Sequence, residues 1–449
     1  MATFQAAPTL HPRLLSRLQE ARSRTDELFR LLPASSVYDR PIAERHRMIF
    51  YLGHVEAFDW NLLAASLDLA PHDAEFDKLF AFGIDPVGDG LPTDTPSEWP
   101  TIAQVQDYNH LVRNRLDEAL GDFRASRSHA TTLVDGTLLH VAIEHRLMHA
   151  ETIAYLLHNL PIERKTPQAG PAPDPRPAPE PRQVTVPAGI ATLGQPRSGD
   201  NFGWDNEFDA HKVHVPSFSI DVFPVTNAQY LKFVQAGGYQ DAKFWSSEDW
   251  EWKRSKRLDH PYFWMSRSGS PSTSRNTRWD YVGMFGKIPL PPSWPVYVSH
   301  AEASAFARWA GQKLPTEAQW HRAAYGAPDG TERSYPWGEE TPGESHGNFH
   351  HRRWDATAVN EHPAGASSFG VLDLMGNGWE WTSTPFDSFP GFQQFPFYPG
   401  YSANFFDGKH FAMKGGSART DACMLRRSFR NWFQPHYPHI YATFRCVED

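Results

Sequence analysis

The sequence predicts a chain of two domains, a helical bundle followed by an irregular α+β domain. Three observations predict it. Apolar residues recur at helical spacing over residues 11–32, 42–67, 102–120 and 131–160, the pattern of helices that bury one face. Proline then takes almost every second position from Pro171 to Pro181, which removes backbone donors and holds the chain extended. Beyond that stretch, short β-rich pieces alternate with Gly, Pro, Asn and Trp, and few periodic segments remain. The expected organisation is a bundle over residues 1–160, a Pro-rich linker over 161–183 and an α+β domain over 184–449. A chain of 449 residues is also too long for one ordinary core.

Taken in order, the four helical segments fit a four-helix bundle, an architecture whose interior can receive ligands from several helices. The longest of them carries HRLMHAE, residues 145–151. His145 and His149 lie four apart, one turn above each other on one helix face, where two imidazoles can share a metal ion. With 22 histidines in the chain, about one such pair is expected by chance. The pair gains weight from His54 in the second helical segment. After the linker, RQVTVPAG and HKVHVPSFSIDVFPVT read as strands. VTNAQYLKFVQAGG and SHAEASAFARWAGQ read as helices, with Thr226–Asn227 and Ser299 at their N-caps.

Composition excludes several classes. The formal charge of −9 argues against a nucleic-acid partner, because no basic block is present to neutralise phosphates. Two cysteines, Cys423 and Cys446, exclude a disulfide framework and a four-cysteine zinc site, and they suit a reducing compartment. The first residues, MATFQAAPTLHPRLL, lack the basic and apolar regions of a secretory signal, and no uncharged run reaches membrane-spanning length. The expectation is a cytoplasmic enzyme with no membrane or nucleic-acid partner.

The second half resembles the formylglycine-generating-enzyme, or sulfatase-modifying-factor, fold, which is related to C-type-lectin scaffolds. The resemblance rests on VPAG, FPVTNAQYLKFV, PVYVSHAEASAFARWAG, KLPTEAQWHRAA, SYPWG, GVLDLMGNGWEWTSTPF, MKGGS, RRSFRNW and FRC, which cover nearly all of 184–449. The first half resembles a DinB-type bundle through YLGHVEAFDW and HRLMHAE. A DinB bundle followed by this fold is the arrangement of the ergothioneine-biosynthesis sulfoxide synthases and of their selenoneine-synthase branch.

That resemblance implies a site. His54, His145 and His149 would bind Fe(II), leaving positions open for substrate and O₂. Two histidines and one carboxylate would be the more usual non-haem set, so Glu151 competes with His54 as third ligand. The resemblance favours His54 and leaves Glu151 to orient an imidazole. Asn431 and Trp432 match residues that hold the trimethylammonium group of hercynine, a task suited to an indole face and an amide dipole. Tyr398 matches the family's catalytic tyrosine, with Tyr401 as a structural neighbour. Phe50, one turn before His54, either lines the imidazole pocket or packs in the core. The implied reaction joins sulfur or selenium to the imidazole carbon between the two nitrogens, using O₂ and leaving one oxygen on the chalcogen.

Departures from the family bear on the donor. Synthases that use γ-glutamylcysteine carry Asp after the Asn-Trp pair, where this chain has Phe433. They also carry arginines after the second bundle helix. The corresponding stretch here, FAFGIDPVGDGLPTDTPSEWPT, contains no Arg or Lys and has Asp85, Asp89, Asp94 and Glu98. FAFG replaces a usual Tyr-Tyr pair, and Met148 stands where Gln is usual. An anionic dipeptide would meet uncompensated repulsion there. A neutral or zwitterionic donor is expected: a selenosugar, slightly favoured, or a thiol such as cysteine. Two other classes remain. A formylglycine-generating enzyme would hold copper with paired cysteines, which lie 23 positions apart here, and it would leave the bundle histidines unexplained. A sugar-binding module of lectin type would need no metal centre.

Overall fold

The computed structural model describes residues 12–81, 91–123, 131–198, 201–267 and 271–448. The chain divides into two compact units, Met1–Gln168 and Ala169–Asp449.

The first unit is helical, with α1 (Pro12–Phe29), α2 (Met48–Leu63), α3 (Ala74–Leu79), α4 (Ile102–Asp122), α5 (Thr131–Val134) and α6 (Thr137–Asn159). The four long helices form the expected bundle. α1 packs along α6, and α2 lies between α4 and α6. Leu18, Leu28, Phe50, Leu63, Val112, Leu116, Leu139 and Ile153 are buried between them.

Three details differ from the periodicity. The segment expected to be helical over 131–160 breaks at Asp135–Gly136, where Gly136 has φ of 85° and caps α6. A left-handed residue cannot continue a helix, and Gly adopts that conformation at least cost. The segment expected over 42–67 becomes helical only at Met48, because Arg47 is extended with ψ of 157°. Residues 42–45 form a turn there, in which the Arg45 N–H donates to Ile42 O at 3.0 Å. The third difference is α3, which periodicity does not reveal. A six-residue helix cannot stand by itself. Asp73 caps it by accepting the Glu75 and Phe76 N–H groups. Asp77 then ties it to α4 and α2: Tyr108 Oη donates to Asp77 Oδ1 at 2.6 Å, and Asn61 Nδ2 donates to Asp77 O at 3.0 Å.

The proline-rich stretch is shared between the units. Residues 166–182 contain no regular element, as their prolines require. The Thr166 N–H donates to Leu31 O at 2.8 Å in the first unit. Asp174 accepts the Trp294 indole N–H at 2.9 Å in the second.

The second unit contains β1 (Gln183–Val186), β2 (Gly189–Leu193), β3 (His211–Val215), β4 (Phe218–Asp221), β5 (Trp264–Ser266), β6 (Trp279–Val282), β7 (Lys287–Pro289), β8 (Trp379–Pro385), β9 (Phe411–Lys414), β10 (Asn431–Phe433), β11 (Ala442–Thr443) and β12 (Val447–Glu448). They make small sheets ordered β1-β4-β12, β10-β9-β8-β11, β2-β3 and β5-β6-β7. Four helices join them: α7 (Asn227–Gln235), α8 (Ser247–Ser255), α9 (His300–Trp309) and α10 (Glu317–Tyr325). Thr226 and Ser299 are the N-caps of α7 and α9, each in a capping box, as the sequence indicates. The core beneath α10 gathers Trp320, Ala324, Val186, Phe218, Ile220 and Leu374. Arg445, fully buried, donates twice to Glu380 at 2.6 Å, and Trp320 Nε1 reaches the same carboxylate at 2.9 Å. Among the described residues no helix is long and apolar enough to cross a membrane.

Candidate metal centre and substrate-binding residues

The two histidines of α6 and the one of α2 meet in the bundle interior. One ring nitrogen each of His54, His145 and His149 lies within 4.8 Å of the other two, and all three residues are buried. His54 Nε2 and His149 Nε2 are 3.2 Å apart. The other nitrogen of His54 faces a carbonyl, Phe80 O, at 2.6 Å. A carbonyl only accepts, so Nδ1 carries the proton and Nε2 presents a lone pair toward His149. His149 Nδ1 is buried with no hydrogen-bond partner among the described residues. Three neutral imidazoles with converging nitrogens fit a divalent transition metal, which would take the place of the contact between His54 Nε2 and His149 Nε2.

Electrostatics agrees with neutral rings. Burial lowers the His54 pKa to about 4, against the opposing pull of the Phe80 carbonyl. Burial also holds His145 and His149 well below the usual imidazole value, with neighbouring positive charges adding to the effect. Aromatic rings fix the imidazole planes. Phe58 stacks on His145 at 3.3 Å, and Phe50 stacks on His54 at 4.9 Å. The second face of Phe50 is covered by His46 at 4.1 Å, so Phe50 acts on the site through His54. Met148 and Glu151 are half-buried on α6. The carboxylate of Glu151 is not part of the converging group; His54 supplies the third nitrogen.

Behind the histidines lies a charge network that sequence reading did not find. Arg146, between the two motif histidines, is fully buried. It donates to Glu56 Oε1 and Oε2 at 2.9 Å, to Asp59 Oδ2 at 2.6 Å and to Val55 O at 2.6 Å. Arg113 of α4 reaches both Glu56 and Asp26. Burial opposes the charge on Glu56, yet Arg146 and Arg113 hold its pKa at about 2. The available signal was two acids, Glu56 and Asp59, inside the apolar run of α2.

The acidic stretch after α2 requires a correction. Asp94 is not uncompensated: Arg40 and Arg47 both pair with it, Arg47 Nε at 2.9 Å, and Trp99 Nε1 donates to it at 2.7 Å. The cations come from residues before α2, outside the stretch whose composition suggested repulsion. Glu98 accepts the Thr95 N–H in a capping box. Asp85, Asp89 and part of FAFG lie outside the described residues.

In the second unit, β10 carries Asn431, Trp432 and Phe433. Strand alternation sends Trp432 to one face and its two neighbours to the other. Trp432 stacks on Phe386 at 4.1 Å, lies nearly perpendicular to Tyr401 at 5.4 Å and has Phe405 tilted beside it at 5.5 Å. Tyr401 lies 5.6 Å from Tyr398 and stacks on Trp204 at 4.0 Å. Tyr398 and Trp432 therefore belong to one aromatic cluster, with buried Tyr401 as its centre. Burial, and then the Asp205 carboxylate, push the Tyr398 phenol up to about 12. Asp205 is itself fixed by the Ser402 hydroxyl at 2.6 Å. Asn431 Oδ1 accepts the Trp432 N–H at 2.8 Å. Phe433 stacks on Tyr437 at 5.3 Å.

Comparison with known proteins agrees with both halves. Residues 168–449 match the sulfatase-modifying factor enzyme 1-like domain, and residues 17–153 match the DinB superfamily. A hercynine oxygenase of Mycolicibacterium thermoresistibile is 36% identical over 353 residues, 77% of this chain and 75% of that protein. A hercynine oxygenase of Mycobacterium tuberculosis is 38% identical over 260 residues, and the match spans 57% of this chain and 58% of that protein. Ergothioneine biosynthesis protein 1 of Neurospora crassa is 28% identical over 93% of this chain and 56% of its own length.

Proposed function

The chain belongs to the hercynine oxygenase family, and from that premise we propose that it forms a carbon–chalcogen bond on hercynine, using O₂ and an iron(II) centre held by His54, His145 and His149. The observation that supports this most is the convergence of three buried, neutral imidazoles within 4.8 Å. The reaction balances as follows. The imidazole C–H and the donor's S–H or Se–H lose their hydrogens, one oxygen atom leaves with them as water, and the other stays on the chalcogen.

Iron, when bound, supplies the redox chemistry by which O₂ is reduced. The chain's own residues do the rest. The half-buried indole of Trp432, held among Phe386, Tyr401 and Phe405, would supply the aromatic surface that attracts a quaternary ammonium. Tyr398 stays protonated at neutral pH, so its phenol can relay a proton, giving one up and regaining one from the substrates with no net change. Glu56 and Arg146 keep α2 and α6 in the register that brings the three rings together.

The donor is a thiol or a selenol. Phe433 supports a second reading, with a selenosugar as donor. It places a ring stacked on Tyr437 where the family pattern carries an acid, and a sugar face packs on such rings better than an anion does. An aerobic assay with hercynine and competing donors (selenosugar, thiosugar, cysteine and γ-glutamylcysteine) separates these readings. Product is expected with at least one donor, lost on iron removal and on His149→Ala. Full turnover by iron-stripped His149→Ala protein would overturn the proposal. Turnover confined to γ-glutamylcysteine would overturn the neutral-donor reading.

A further inference from the structure

We infer that Phe80 and Gly53 together form the positioning device for the metal centre: the Phe80 carbonyl selects the ligating tautomer of His54, and Gly53 makes room for the Phe80 ring that holds this carbonyl in place. The inference rests on the metal reading above and extends it to two residues outside the ligand set.

The geometry begins at the ring. Phe80 is fully buried, and a Cβ on Gly53 would come within 2.7 Å of three atoms of its ring. Gly53 has no left-handed torsion to explain it, since it lies inside α2. A helix-interior glycine is unfavourable relative to alanine, so its presence in α2 calls for a packing reason. Here it leaves a notch on α2 into which an aromatic ring seats, one residue before His54.

The carbonyl follows from the ring. Phe80 ends α3, and its N–H donates to Phe76 O at 3.0 Å. α3 is held through Asp77 by Tyr108 of α4 and Asn61 of α2. The ring on Gly53 and the helix behind it fix the Phe80 peptide from two sides. Its oxygen accepts from His54 Nδ1 at 2.6 Å. A metal-bound imidazole needs its other nitrogen protonated and oriented, and loss of such an outer partner typically weakens metal binding ~10–100-fold. Without the carbonyl, the neutral His54 ring divides between two tautomers, and one of them puts a hydrogen where the metal lone pair belongs.

Two measurements on the full chain test this, with Gly53→Ala, Phe80→Leu and the double variant compared with wild type. The first is ¹⁵N NMR of the His54 ring in metal-free protein, which reads the tautomer directly. The second is titration with Co(II), followed by its ligand-field absorption. Wild type is expected to show the Nδ1-protonated tautomer. Gly53→Ala is expected to mix tautomers and to weaken Co(II) binding about 10–100-fold. The double variant is expected to recover most of that loss, because a leucine side chain leaves room for the added Cβ. Thermal unfolding of each variant separates this from global destabilisation. Wild-type tautomer and affinity in Gly53→Ala, or a double variant no better than the single, overturns the inference. Absence of Co(II) binding by wild type overturns the metal reading, while the tautomer measurement still decides the role of Phe80.

Discussion

At the scale of single residues, the candidate site depends on keeping side chains in one protonation state. The three histidines are neutral because burial removes the water that would solvate a cation. Tyr398 is protonated for the complementary reason: burial and the nearby Asp205 carboxylate both oppose a phenolate. This leads to a prediction about Tyr398→Phe. The ring and its packing against Tyr401 survive, while the hydroxyl is lost. Bond formation on hercynine is expected to fall about 10²–10⁴-fold, the usual range for a lost proton donor, while O₂ consumption coupled to donor oxidation persists. Product analysis by mass spectrometry alongside an oxygen electrode checks it. Unchanged product yield per O₂ would remove Tyr398 from the chemistry. Tyr401→Phe should change less, since the phenol there belongs to a residue buried by stacking on Trp204.

At the scale of elements, α2 and α6 carry the ligands and are joined by a buried ion network. Arg146 has no exposed surface, and neither do the side chains of Glu56 and Asp59. Removing the guanidinium leaves two carboxylates without their main counterion inside the bundle. Breaking a buried pair in this way costs about 3–5 kcal/mol. Arg146→Met should lower the unfolding free energy of the first unit by that amount, read from the shift of its denaturant midpoint, and the triple variant with Glu56→Gln and Asp59→Asn should recover part of it. A single variant as stable as wild type would show that the network contributes nothing. The network also marks where the sequence stopped being legible. His145 and His149 could be read from a spacing of four because helix geometry is local. His54 could be read because its motif repeats a known one. Arg146 sits in the same seven residues, yet its partners lie 87 and 90 positions away, and no periodicity reports such a pairing. The Phe80 carbonyl is harder still, because a backbone acceptor has no signature in side-chain identity. The composition of 80–101 misled for a related reason. Asp94 is matched by Arg40 and Arg47, which a window confined to the stretch excludes.

At the scale of the whole molecule, buried histidines make the folded chain sensitive to acid. His54, His145 and His149 in the first unit, and His300 and His321 in the second, all have lowered pKa values with burial as the leading cause. A histidine whose folded pKa lies below its unfolded value binds protons preferentially when unfolded, so stability falls as pH drops between the two values. For His54 the window runs from 6.5 down to about 4, and its full depth corresponds to about 3 kcal/mol. Asp373 acts with the opposite slope in the second unit. Burial raises its pKa from 3.8 to about 8, so the folded chain retains a proton that the unfolded chain releases, and stability declines as pH rises through that range. The two effects predict different profiles for the two units. In metal-free protein, the bundle should lose stability steadily from pH 6.5 to 4 and be nearly flat from 7 to 8.5. The second unit should also weaken toward pH 8. Urea titrations at pH 5, 6, 7 and 8, followed by probes confined to each unit, measure both slopes. His54→Gln should flatten part of the bundle's acid limb, since an amide does not titrate. A bundle equally stable at pH 7 and pH 5 would mean that its histidines are already accessible to water, and the neutral-ligand account of the metal centre would fall with it.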